Sequence, residues 1–115
     1  MEANHYQKLA LKTLNPALSQ QDVLINGVMG LCGEAGEAID LVKKHLAQGH
    51  ELDREALIGE LGDIAWYLAE TAHALDCELD EVLQRNIDKL ARRYPEGFTV
   101  ESSLKRDAST STTHS

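Results

Sequence analysis

Apolar side chains recur every three or four residues along most of this chain, and that period is the signature of packed helices. Leu24, Val28, Leu31, Ala35, Ala38 and Val42 form one stripe, and Leu57, Leu61, Ile64, Leu68, Thr71 and Leu75 trace a second. Tyr6, Leu9, Ala10 and Thr13 keep the spacing within Asn4 to Leu14, as do Leu79, Val82, Leu83, Ile87 and Leu90 farther on. The punctuation agrees. Pro16 ends the first element, and Ser19 followed by Asp22 has capping-box spacing ahead of a long second helix that exits at Gly49. Asp53 can cap a third helix from Arg54, Asp76 to Glu78 break it, and Pro95 with Gly97 stops a fourth. No segment alternates with the period of a strand. The expected fold is all-α, a four-helix bundle.

A chain of 115 residues, 43% of them hydrophobic, supports one modest core, so residues 1–101 are read as a single domain. The stretch from Ser102 to Ser115 is rich in Ser and Thr, with Leu104 its one large apolar residue, and is expected to be a disordered polar tail. Helices with apolar area on two sides would gain by packing against another copy, which predicts a bundle completed by oligomerisation.

The 11 basic and 19 acidic residues leave a net charge of −8, which repels a nucleic-acid backbone and argues against such a partner. A small phosphate-bearing substrate stays admissible, because bound divalent cations reverse the local field around carboxylates. There is neither a signal-peptide-like start nor an apolar run long enough to span a bilayer, so no membrane partner is expected. With Cys32 and Cys77 read as buried thiols, the expected location is cytoplasmic.

Glu34 and Glu37 stand three apart in one helix, and Glu60 and Asp63 stand three apart in the next. Each pair projects two carboxylates from one helix face. If the two helices are antiparallel neighbours, the four acids converge on a site suited to Mg²⁺ or Mn²⁺, and no compact cysteine and histidine pattern competes for zinc. A solvated acidic face is the ordinary explanation of such pairs. Against it stand Gly27, Gly30, Gly33, Gly36, Gly59 and Gly62, inside the same helices although each costs roughly 1 kcal/mol relative to Ala there. Close helix packing explains the glycines alone; a metal site beside a close approach explains the acids as well.

Lys43 and Lys44 lie one to two turns beyond Glu37, and Asn86, Lys89 and Arg93 share a side of the fourth helix, an arrangement suited to a polyphosphate or to plain solvation. Trp66 and Tyr67 follow Asp63 closely; one can border the metal cleft and stack on a base, or either can serve as core.

These motifs resemble those of the MazG-type nucleotide pyrophosphohydrolases, over roughly Tyr6 to Phe98. EAGE supplies Glu34 and Glu37, ELGD supplies Glu60 and Asp63, and the Lys43–Lys44 pair and the NIDKLARRYPEGF segment match further. The resemblance implies an all-α enzyme that cleaves a nucleoside triphosphate to monophosphate and pyrophosphate with Mg²⁺, or Mn²⁺ in its place, as a homodimer or homotetramer. It implies catalytic and metal roles for Glu34, Glu37, Glu60 and Asp63, and substrate contacts for Lys43, Lys44, Asn86, Lys89, Arg93, Tyr94 and Trp66. Glu37 is favoured as the base, though nothing in the sequence separates a base from a metal ligand. The intact acidic quartet favours hydrolysis over a catalytically weak nucleotide-binding or regulatory protein, and over a scaffold or toxin-antidote partner.

Overall fold

The computed structural model describes residues 1–110, with side chains as far as Lys105. It is all-helical: α1 (Ala3–Ala10) with a 3-10 turn at Leu11–Thr13, α2 (Gln20–Gln48), α3 (Arg54–Ala74), α4 (Leu79–Arg93) and α5 (Val100–Thr110). None of these helices is long and apolar enough to cross a membrane. The chain divides into two compact units, Met1–Asp80 and a second that begins at Glu81.

Local chemistry accounts for the helix ends of the first unit. The Ser19 hydroxyl accepts the Asp22 N–H at 3.1 Å and Asp53 accepts the Ala56 N–H at 3.0 Å, each satisfying a donor that the first helical turn leaves without a partner. Gly49 closes α2 in the left-handed conformation, φ 73°. The end of α3 is less ordinary. Cys77 N–H reaches the Ala72 carbonyl at 2.9 Å and Asp76 N–H reaches that of His73 at 3.0 Å, a Schellman pattern with Asp76, not glycine, at φ 54°.

Val23, Ala69, Ala72, Ala74 and Leu79 form the buried apolar core, which is small. Polar clasps supplement it. Gln7, itself buried, donates to the carbonyls of Ala69 and Cys77 and accepts the Leu79 N–H at 2.8 Å. Asn4 accepts the Asp80 N–H at 2.9 Å, so side chains of α1 cap the start of α4. Met29, Ile39, Leu46 and Leu61 remain between 56% and 75% exposed on α2 and α3.

In the second unit α4 carries Val82, Leu83, Ile87 and Leu90, all exposed, and ends ahead of Pro95. Thr99 then accepts the Ser102 N–H at 3.0 Å and opens α5. This fifth helix runs from Val100 to Thr110, across the boundary that composition suggested at residue 101, while 111–115 lie outside the described residues. Thr99 is a sound N-cap, a signal outweighed in the sequence by the polar composition that follows it.

Candidate metal centre

Two glycines let α2 and α3 approach closely. A Cβ at Gly27 would collide with the Thr71 side chain, and one at Gly30 would collide with the ring of Tyr67. At Gly33, Gly36, Gly59 and Gly62 a Cβ would meet nothing within 4 Å, so the close approach expected along the whole glycine series is confined to its first two members. Gln20 meets Ala74, Gly27 meets Thr71 and Gly30 meets Tyr67, so rising numbers on α2 pair with falling numbers on α3. The helices are antiparallel.

That arrangement carries Glu34 and Glu37 of α2 to Glu60 of α3, with one oxygen of each within 4.8 Å of the others. Glu34 and Glu60 are half-buried and Glu37 is exposed. Like charges so close resist joint ionisation. Contact with the Glu34 carboxyl, then burial, then the charges of Glu34 and Glu37 push the Glu60 carboxyl from 4.5 up to about 7. Glu34 Oε2 and Glu60 Oε2 are shielded from solvent and have no hydrogen-bond partner. Buried acceptors without donors are costly, and a cation satisfies both at once. The residues therefore fit a divalent metal ion, and an all-oxygen carboxylate set suits a hard one.

Asp63 stands outside this trio and lines the adjoining cleft of about 410 Å³ with Glu34, Trp66 and Tyr67. The two rings pack edge to face, 5.1 Å between centroids. Trp66 Nε1–H is committed to the Ala10 carbonyl at 3.0 Å and the Thr13 hydroxyl at 2.9 Å, leaving the indole to offer the cleft apolar surface. On α1, burial and then the charge of Asp63 raise the Tyr6 phenol above its ordinary value.

Residues 26–98, most of α2 and all of α3 and α4, match the MazG nucleotide pyrophosphohydrolase domain. The chain belongs to this family. The MazG chain is also similar to the Gene 37 protein of Mycobacterium phage L5, 45% identical over 82 residues, which is 68% of this chain and 72% of that protein. No solved structure matches it. Family membership and the acidic cluster together support a hydrolase-like character for this MazG domain, with a carboxylate cluster capable of coordinating a metal ion.

The remaining expected site residues are spread more widely. Lys43 and Lys44 are exposed on α2, neither lines the cleft, and Lys44 pairs with Asp40 at 3.1 Å. Asn86 and Lys89 are exposed on α4, within the second unit, where Arg93 is half-buried and Tyr94 packs against Phe98 at 5.7 Å. Tyr67 proves to be a cleft wall beside Trp66, and its position four residues after Asp63 already put it on the same helix face. Tyr6 had no such signal, because its neighbourhood with Asp63 depends on how α1 docks.

Proposed function

We propose that this MazG-family chain hydrolyses a nucleoside triphosphate, NTP or dNTP, to nucleoside monophosphate and pyrophosphate with Mg²⁺, for which Mn²⁺ can substitute. The observation that carries the reading is the carboxylate trio with two shielded, partnerless oxygens. Glu34, Glu37 and Glu60 would hold the metal, which when bound neutralises triphosphate charge and polarises the phosphoryl group under attack. Water adds to the α-phosphorus, the bond from that phosphorus to the bridging oxygen breaks, and pyrophosphate leaves. The proton of that water passes to Glu37, the exposed member of the trio, or to Asp63 on the cleft.

Trp66 and Tyr67 supply apolar surface for the base or sugar, and because the indole N–H is already engaged, Trp66 contributes stacking alone. Asn86, Lys89, Arg93 and Tyr94, with Lys43 and Lys44, keep in this reading the substrate contacts that the family pattern implies. The exposed apolar residues of α2 and α3 support assembly into a homodimer or homotetramer, which light scattering would detect.

The test is product chromatography over a panel of nucleotides with Mg²⁺. Monophosphate and pyrophosphate should form in equal amounts, with greatly reduced turnover in Glu37→Gln and Asp63→Asn and parental turnover in Glu101→Gln. Loss of a base lowers kcat and spares Mn²⁺ affinity, whereas loss of a ligand lowers both. Nucleotide binding without pyrophosphate release would favour a regulatory protein instead.

A further inference from the structure

Glu70 is 0% exposed, seated between α2 and α3, and its two oxygens accept hydrogen bonds from the Asn26 side-chain amide at 3.0 and 2.9 Å. None of the ion pairs among the described residues includes it. Burying a carboxylate against one neutral donor is a poor source of stability, since desolvation of an ion costs several kcal/mol. An apolar pair of similar volume would serve the core at least as well. What a polar pair with one buried member can supply is a directional preference for one alignment of two helices, as a single polar residue does in coiled coils.

The α2–α3 seam needs that preference. Glycines recur at every third position from Gly27 to Gly36, so sliding α2 by three residues puts Gly30 against Thr71 and Gly33 against Tyr67, again glycine against each partner. The acids repeat in the same step. Glu37 would take the place of Glu34, and Asp40, shorter by a methylene and paired with Lys44, would take that of Glu37. Such a slide is about 4.5 Å at 1.5 Å per residue, close to the 4.8 Å that spans the whole trio. Five non-helical residues, Gly49 to Asp53, connect the two helices. Asn26 opposes the slide, which would replace it by Met29 opposite the buried Glu70, as does Gln20, whose amide donates to the Ala74 carbonyl at 2.7 Å.

We infer that Asn26 and Glu70 form a register pin, a positioning pair that selects the alignment of α2 and α3 in which Glu34, Glu37 and Glu60 meet. The inference rests on the metal reading of that trio for its consequence, but its geometry is testable without metal. Nitroxide labels at Gln21→Cys and Glu55→Cys, in a Cys32→Ser and Cys77→Ser background diluted with excess unlabelled protein, report the α2–α3 offset by pulsed electron resonance. The parent should show one distance. Replacing the pair by Asn26→Leu with Glu70→Leu should leave the melting temperature unchanged or higher, yet add a second distance about 4.5 Å away. Mn²⁺ affinity should then fall in proportion to the population still in register. Exchanging donor and acceptor, Asn26→Asp with Glu70→Gln, should restore a single distance and parental Mn²⁺ affinity. A single parental distance with parental affinity in the apolar pair overturns the inference. If that pair does not fold, Asn26→Ala, at an exposed position, is measured instead with the same two criteria. A parent that binds no Mn²⁺ refutes the metal reading and leaves the distance measurement to decide the pin.

Discussion

Glu34 and Glu60 face each other from antiparallel helices, each with one carboxylate oxygen cut off from solvent and from every hydrogen-bond donor. Their closeness has a thermodynamic consequence in the metal-free protein. Between 4.5, the ordinary carboxyl value, and about 7, the folded chain holds a proton on Glu60 that the unfolded chain has released. The folded state binds more protons in that window, so this contribution to stability is present at its acid end and lost as pH rises toward about 7. Metal-free protein should therefore lose melting temperature across this window relative to Glu60→Gln, which lacks the titration. Mg²⁺ should raise the melting temperature of the parent above the window and leave Glu60→Gln nearly unmoved. Parallel pH curves for parent and variant in thermal melts would remove this account.

Gly30 and Tyr67 admit no atom between them. Gly30→Ala gains roughly 1 kcal/mol of helix propensity but forces the tyrosine ring or α2 to move, an overpacking cost of about 1–3 kcal/mol. The expected outcome is a net loss of stability in urea unfolding. Because Tyr67 walls the cleft, KM for the best nucleotide should rise more than kcat falls.

Gln7 joins three parts of the first unit through a single buried amide. Gln7→Ala removes the side-chain acceptor of the Leu79 N–H and one donor each from the Ala69 and Cys77 carbonyls, a loss of about 1–3 kcal/mol. Gln7→Glu keeps an acceptor for Leu79 but sets a buried carboxylate without counter-charge against the Ala69 and Cys77 carbonyls, and at neutral pH should be less stable than Gln7→Ala in the same unfolding measurement.

Asp76 holds a left-handed conformation that costs a residue with a Cβ roughly 1–2 kcal/mol, somewhat less for Asp. Glycine removes that strain and adds freedom to the unfolded chain, so Asp76→Gly should stabilise by about 0.5–1 kcal/mol. An unchanged or lower unfolding midpoint would show that the Asp76 side chain offsets its own strain.

The helix ends at Ser19, Gly49 and Asp53 were legible because capping is local; the groups that satisfy one another lie within about a turn. The acid pairs were legible for the same reason, since residues three apart share a helix face whatever the helix packs against. The fifth helix was obscured because Thr99 marks its start while the polar sequence after it offers no apolar stripe. Other features depended on how distant segments meet. Periodicity assigns a face but not the offset between two helices, and here an offset of one glycine repeat exchanges one plausible acid set for another. Only the tertiary structure decided that Glu37 joins Glu34 and Glu60 while Asp63 turns to the cleft. It also decided that Trp66 spends its N–H on Ala10 and Thr13, and that Gly27 and Gly30 alone of the glycine series sit against α3. Each of these relationships joins residues separated by tens of positions, so its geometry is set by the packing of whole helices rather than by any neighbouring residue.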